Sequence, residues 1–313
     1  MTLEMVFAAL VDKGRAELTG DAVLAKTLEL HGVEVVGGEA RLPKEVQLLE
    51  GEKIKENLGQ EASEWLSSLQ LFPHIESTNK HLMKLAERRP IDGTVLIAEV
   101  QTGGRGRRGR SWISPFGRNI AMSLGMSLAC PSVGIGAVSL VIGLAIADVL
   151  RSIGVRNVEL KWPNDVLIEG RKVSGILIEL TNRSDPTEMV IGIGVNVGAG
   201  DFLMAGIEQQ VADVTEQIRG LSRSILAGEI INVVHRYCRE FEAHGFRVFR
   251  DRWMAIHAYQ DRRVVVTSGS ASVRGICRGI SLSGALLLDD GKEVIELIGG
   301  EITLRQRKGN DDK

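Results

Sequence analysis

Residues 101–112 read QTGGRGRRGRSW. Arg105, Arg107, Arg108 and Arg110 are interleaved with Gly103, Gly104, Gly106 and Gly109, and no acid interrupts them. Glycine reaches φ > 0 and lets backbones approach closely. Arginine presents a planar fork of donors suited to phosphate or carboxylate. A stretch so rich in glycine holds neither a helix nor a packed strand; it suits a loop that folds down over an anion. Two blander readings fit the same composition: an RG-rich tail that touches RNA and a solvated basic loop with no ligand. Position weighs against both, because strand-like runs flank the stretch at residues 94–100 and 119–128.

Outward from this loop the pattern is α+β, with strands in hairpins and helices grouped to one side. Ser77 can cap a helix over residues 80–88. The apolar run 133–153 predicts a buried helix, since it is interrupted by Ser139 and Asp148 and its unbroken part is too short for a bilayer. Strands are expected at 157–162, 166–168, 173–180 and 188–197, rich in β-branched residues. Residues 201–220 read as a loop with a short helix. Residues 222–245 form a long amphipathic helix with Ile225, Leu226, Ile230, Val233, Val234 and Phe241 on one face. A short helix then follows over 246–259. From Arg262 short β-rich runs split by glycine turns predict a small antiparallel barrel.

The first 62 residues differ in texture. Thr2 is a plausible N-cap, and Thr19 a second one, for helices ending near Lys13 and Gly32. Residues 33–42 look like a two-stranded wing around Gly37-Gly38. Residues 51–70 read as a linker with a helical portion.

Composition bounds the function. Of 313 residues, 44% are apolar and 25% charged, with a net charge of −2. That balance suits a globular protein and gives no general affinity for nucleic acid. Cys130, Cys238 and Cys277 are far apart and form no CxxC pair, which predicts free thiols, a reducing cytoplasmic setting and no protein metal site. The opening MTLEMVFAALVDKG lacks the basic start and apolar core of a secretion signal.

Three more clusters follow the arginine loop: Lys161-Trp162-Pro163-Asn164-Asp165, Arg171-Lys172-Val173-Ser174-Gly175, and Gly192-Ile193-Gly194-Val195-Asn196. Each has a bland reading: an Asx-capped turn, a solvated hairpin lysine, and a weakened strand. Glycine within a strand also marks close approach by a ligand or another backbone. Together the clusters favour one shared ligand site.

These residues, with Ser77-Thr78-Asn79, Ser114-Pro115-Phe116-Gly117, Gly175-Ile176-Leu177 and Gly299-Gly300-Glu301-Ile302, make the chain resemble the biotin–protein ligases, of the bifunctional ligase and biotin-operon repressor type. The resemblance covers nearly the whole chain. It implies an N-terminal winged helix-turn-helix, here eroded (residues 1–62 with its linker). It implies a class II synthetase-like mixed sheet with helices, which binds biotin and ATP (63–260), and an SH3-like C-terminal barrel (261–313).

It also implies a two-step reaction. Biotin's carboxylate attacks the α-phosphate of ATP with Mg²⁺ on the phosphates, and a lysine of a biotin carboxyl carrier protein of acetyl-CoA carboxylase then takes the acyl group. By resemblance, Lys172, Arg107 and Arg110 carry catalysis. Ser77, Thr78, Asn79, Gln101, Arg105, Gly106, Arg107 and Lys172 hold biotin. Arg107, Arg110, Trp112, Asn164, Asp165 and Asn196 hold the nucleotide or adenylate. A homodimer through the central sheet and operator DNA are further partners that the resemblance implies; a membrane is not.

The chain departs from the family in three places. Residues 14–32 leave room for about one helix where a DNA-reading unit needs two. Residues 198–206 match the adenylate loop poorly, and Leu297 stands where the family has tryptophan. A regulator that uses the adenylate only as corepressor, and a lipoate-type ligase, are the competing readings.

Overall fold

A computed structural model describes residues 1–18, 20–43, 46–129, 135–199, 211–268, 271–298 and 302–306. The N-terminal unit holds helices α1 (Leu3–Lys13) and α2 (Ala22–Leu30), with strands β1 (Arg15–Glu17), β2 (Glu34–Val36) and β3 (Glu39–Arg41) in a sheet ordered β1-β3-β2. Thr2 caps α1 as expected, accepting from Met5 N. The expected cap at Thr19 lies outside the described residues. Asp21 caps α2 instead, accepting from Val23 N and Leu24 N. Carboxylates serve well there, because the first-turn N–H groups have no helical acceptors.

This unit is not a separate bead. Its core of Val6, Phe7, Leu10, Leu28 and Ala40 continues into Val100 and Phe116, at the two ends of the arginine loop. Phe7 stacks on His74 with ring centroids 5.4 Å apart.

Residues 51–70 have the expected helical portion but are packed structure and not a linker. Helices α3 (Gly51–Glu56) and α4 (Gln60–Trp65) bury Ile54 and Ala62 in the main core, and β4 (Ser68–Phe72) is an edge strand. The helices are too short to show a full amphipathic period, which hides them in sequence.

The central sheet has seven strands, ordered β4-β5-β6-β10-β9-β8-β7. These are β5 (Thr94–Ala98), β6 (Asn119–Leu128), β7 (Val158–Lys161), β8 (Asp165–Ile168), β9 (Arg171–Ser184) and β10 (Thr187–Asn196). Only β4 and β5 run parallel; the other neighbours are antiparallel, so the sheet is mixed.

Side chains alternate between faces along a strand, and here the two faces have separate jobs. Ile120, Met122, Leu124, Ile191, Ile193 and Val195 lie in the main core with α6 (Ile135–Ser152) and the long helix Arg223–His244. The opposite face sets small residues side by side on its central strands. Leu177, Gly192, Ser123 and Leu96 form one row, and Gly175, Gly194, Ala121 and Ala98 the next. Helix α5 (Thr78–Ala86) covers part of this face through Leu82 and Ala86, which pack with Leu96 and Val190.

After the short helix Arg247–Ala255 comes a five-stranded antiparallel sheet ordered β14-β13-β12-β11-β15. Its strands are β11 (Arg263–Ser268), β12 (Ala271–Ile280), β13 (Leu286–Asp289), β14 (Val294–Leu297) and β15 (Ile302–Gln306). The indole of Trp162 donates to Gly284 O at 3.1 Å and ties this sheet to the central one.

Candidate functional site

The small-residue face is the floor of the site, and the glycines are required by what lies on them. A Cβ on Gly192 would sit 2.3 Å from Asn79 Oδ1, and one on Gly194 would sit 2.4 Å from Trp112 Cε2. Gly175 lies under the other edge of the Trp112 indole and under Lys172. The glycines of the period-two strands thus make room for side chains that cross the sheet.

One end of the floor is polar and nearly dry. Ser77, Thr78, Asn79, Gln101 and Ser123 are all buried. Ser77 Oγ accepts from Lys80 N and starts α5, which delivers Thr78 and Asn79 to the floor. Gln101 Oε1 accepts from Thr78 N at 2.8 Å and from Thr78 Oγ1 at 3.0 Å. Ser123 Oγ lies 2.7 Å from Thr78 Oγ1 and 2.5 Å from Asn79 Oδ1. Asn79 Nδ2 donates to Glu179 Oε2 at 2.8 Å. Three of the four expected polar residues, Thr78, Asn79 and Gln101, therefore meet in one hydrogen-bonded cluster beside Ser77, and Ser123 and Glu179 join them unannounced.

The other end is basic. Lys172 Nζ pairs with Asp165 Oδ1 at 2.6 Å and lies 5.7 Å from the Trp112 ring. Lys161 reaches the same carboxylate at 4.0 Å. A register shift between β8 and β9, where Val166 faces Ser174 but Leu167 faces Lys172, re-aims the lysine toward the floor side. The hairpin lysine is half-buried, not solvated.

The arginine loop stands over this end as a small hairpin. Gly106 N donates to Arg110 O, Trp112 N donates to Gly104 O, and Arg105 bridges Ser111. Arg108 takes a left-handed φ of 58°, followed by Gly109 at 69°. Arg107 is half-buried, and burial plus the nearby Arg108 and Arg110 depress its pKa, partly offset by Asp165. It is the arginine of the loop turned inward. Arg105 and Arg110 are exposed, and Arg108 donates to Thr267 O in the C-terminal sheet at 3.3 Å.

Two residues expected at the nucleotide are used in the walls. Asn164 donates to Ile176 O at 2.8 Å. Asn196 donates to Ala212 O at 3.1 Å and to Lys172 O at 3.4 Å, so it fixes the lysine's backbone to residues 211–212. Its partner Asn119 is directly opposite on β6. Of the divergent 198–206 stretch, Gly198 N and Ala199 N donate to Asp213, and residues 200–206 lie outside the described residues. So do Gly299, Gly300 and Glu301.

A buried ion pair missed in sequence supports the floor from behind. Arg223 donates to Glu99 Oε2 at 2.7 Å, and also to Asn119 O and Gln47 O. Residues 124 positions apart leave no periodic signal for such a pair.

A sheet face of glycines, with polar donors and acceptors at one end and clustered cations at the other, suits a small polar ring joined to an anionic group. Comparison gives the class. Residues 71–196 match the model of the biotin/lipoate A/B protein ligase family. The chain is 38% identical over 291 residues to the bifunctional ligase/repressor BirA of Salmonella typhimurium, covering 90% of this chain and 87% of that protein. It is 34% identical to the biotin–[acetyl-CoA-carboxylase] ligase of Paracoccus denitrificans, covering 72% of this chain and 96% of that one. A biotin protein ligase from Aquifex aeolicus, solved in complex with biotin and ATP, superposes with a TM-score of 0.68 at 27% identity, covering 77% of this chain and all of that one. The chain belongs to the biotin/lipoate A/B protein ligase family.

Proposed function

We propose that the chain is a biotin–protein ligase: it joins biotin to ATP as biotinyl-5′-adenylate and passes biotin to a lysine of a biotin carboxyl carrier domain. The observation that carries this reading is the two-ended floor, with Thr78, Asn79, Gln101 and Ser123 at one end and Lys172 and Arg107 at the other. The polar end suits a cyclic urea, which both donates and accepts. The basic end suits a carboxylate meeting a phosphate.

Both reactants are anions, so the first step needs fixed positive charge where they meet. Lys172, held by Asp165, supplies a point charge at the centre. Arg107 adds a guanidinium from the loop above, and Arg110 is assigned to the outer phosphates. Trp112 roofs the floor and excludes water, and it is the surface on which adenine would stack. Ser77 and Arg105, Gly106 and the walls held by Asn164 and Asn196 complete the pocket. No nucleophilic side chain is needed, because the attacking groups belong to the substrates.

Mg²⁺ arrives with the nucleotide. Among the described residues no group of three or more potential metal ligands exists, and Asp165 is already engaged by lysines. Phosphates and water would therefore supply most of the ion's donors.

The three-part division is part of the proposal. Residues 1–62 keep the wing and two helices of a reduced winged helix-turn-helix, 63–260 carry the chemistry, and 261–313 form an SH3-like unit. A role at operator DNA is supported by the ligase/repressor name of the Salmonella and Escherichia coli relatives. Opposed to it, α2 carries one lysine, and among the described residues α1 alone precedes it, where a positioning helix is also needed. Among the described residues the edge of β9 beyond Gly175 pairs with no strand on the β8 side, which suits a homodimer through the sheet. No helix among the described residues is long and apolar enough to cross a membrane, and a cytoplasmic setting fits the reading.

The test is mass spectrometry. Purified protein, ATP, Mg²⁺, biotin and a carrier domain should give one added biotinyl group on the carrier. An unchanged carrier mass would refute the activity, and a lipoyl adduct formed from lipoate in its place would favour the alternative ligase.

A further inference from the structure

Asn79 is pinned at both ends of its amide. Nδ2 donates to Glu179 Oε2 at 2.8 Å, so Oδ1 is the atom that faces Ser123 Oγ, 2.5 Å away. The protons around it can be counted. Gln101 Oε1 accepts both the N–H and the O–H of Thr78. The single hydroxyl proton of Thr78 is thereby used, and Thr78 Oγ1 meets Ser123 Oγ, 2.7 Å away, only as an acceptor. Ser123 has one proton and faces two acceptors. One acceptor site is left over in a buried cluster, where an unmade hydrogen bond is costly.

Glu179 creates this surplus. A carboxylate only accepts, so it selects the amide orientation that turns Nδ2 away from the cluster. Leu177 O, at 3.4 Å, is a weak second acceptor for the same nitrogen. Without Glu179 the amide can turn over. Nδ2 would then donate to Ser123, Ser123 would donate to Thr78, and the cluster would close with no acceptor to spare. The sheet places Glu179 for this task. It is two residues beyond Leu177 on β9, on the same face, and Leu177 sits directly opposite Gly192, over which Asn79 lies.

We propose that Glu179 is a positioning residue. It holds Asn79 in the orientation that keeps an acceptor open for an N–H of a cyclic urea bound on the floor. The inference rests on the biotin reading and goes further, by naming what keeps the pocket selective for a ring N–H donor.

The test compares Glu179→Ala and Glu179→Met, which remove the acceptor, with Glu179→Gln, which retains one. The methionine variant preserves the packing of the stem should the alanine variant fold poorly. Biotin affinity is read by calorimetry, and KM and kcat by carrier labelling. Kd and KM for biotin should rise about tenfold in the two acceptor-less variants, at unchanged kcat, while the glutamine variant stays within about twofold of the parent. Equal affinity in all four proteins would overturn the inference and leave the ligase reading intact. A fall in kcat common to all three variants would also overturn it, because charge and not the acceptor would then matter. Absence of biotin binding by the parent chain would defeat the ligase reading and this inference with it.

Discussion

Lys172 Nζ lies 2.6 Å from Asp165 Oδ1, across the tight turn at Glu169-Gly170 that joins β8 to β9. Both side chains are largely shielded from solvent, so the lysine is held in one place before any substrate arrives. Its backbone is fixed as well, through Ala212 N donating to Lys172 O at 2.8 Å. A fixed cation is worth most where charge develops in a water-poor site.

Lys172→Ala should therefore lower biotin-dependent pyrophosphate exchange by about 10²–10³-fold while biotin binding changes far less. Asp165→Asn keeps the shape and releases the lysine; a fall of about tenfold or more is expected from misplacement alone. Exchange kinetics against calorimetric Kd separate the two effects.

The inward turn of Arg107 suits the loop to a second task, shielding the adenylate. A mixed anhydride is hydrolysed or lost when water reaches it. Arg107→Gly should release the adenylate, and lysines of bystander proteins should become labelled. Incubation with serum albumin, read by avidin blotting, checks this. Labelling confined to the carrier domain would remove Arg107 from the role.

Gly194→Ala tests the floor. The new Cβ would lie 2.4 and 2.5 Å from the Trp112 indole, which must shift. The variant should lose about 1–3 kcal/mol of stability by overpacking. Nucleotide-dependent quenching of tryptophan fluorescence should weaken in parallel.

Much of this site was legible in the chain, for a physical reason. The arginine loop breaks both helical and strand periods, and Gly192 and Gly194 repeat at the strand period, so a face built to be approached shows in the pattern itself. Ser77 takes its bland reading, as the cap of α5, and so sets the helix that carries Thr78 and Asn79. Ser123 was hidden in β6, where it and Ser127 sit among Met and Leu and neither gives a signal. Glu179 and the Glu99–Arg223 pair were hidden because their partners are about a hundred residues or more away. Helices α3 and α4 passed for the helical portion of a linker because neither completes two turns.

Glu99 and Arg223 are both nearly inaccessible, and Glu99 also accepts from Leu49 N. Glu99→Ala leaves a buried guanidinium without its carboxylate. Breaking such a pair from one side costs about 3–5 kcal/mol. A lower urea midpoint at unchanged m-value is the expected result.

His257 sits in the junction with the C-terminal sheet, 4.7 Å from the Trp253 ring, and burial lowers its pKa to about 4. Unfolding restores the ordinary value near 6.5, so the unfolded chain binds the extra proton between these limits. Stability is then complete above about pH 6.5 and falls as pH drops toward 4, by about 3 kcal/mol for this group. His257→Gln should flatten that part of the acid limb in urea titrations; an unchanged limb would exclude His257 as its source.

The account turns on a floor that brings a cyclic urea's carboxylate to Lys172 and a nucleotide phosphate. Exchange of labelled pyrophosphate into ATP reads that event directly, without a carrier. The account predicts exchange that requires biotin and falls sharply in Lys172→Ala. Exchange that proceeds equally without biotin, or that Lys172→Ala leaves untouched, would contradict it.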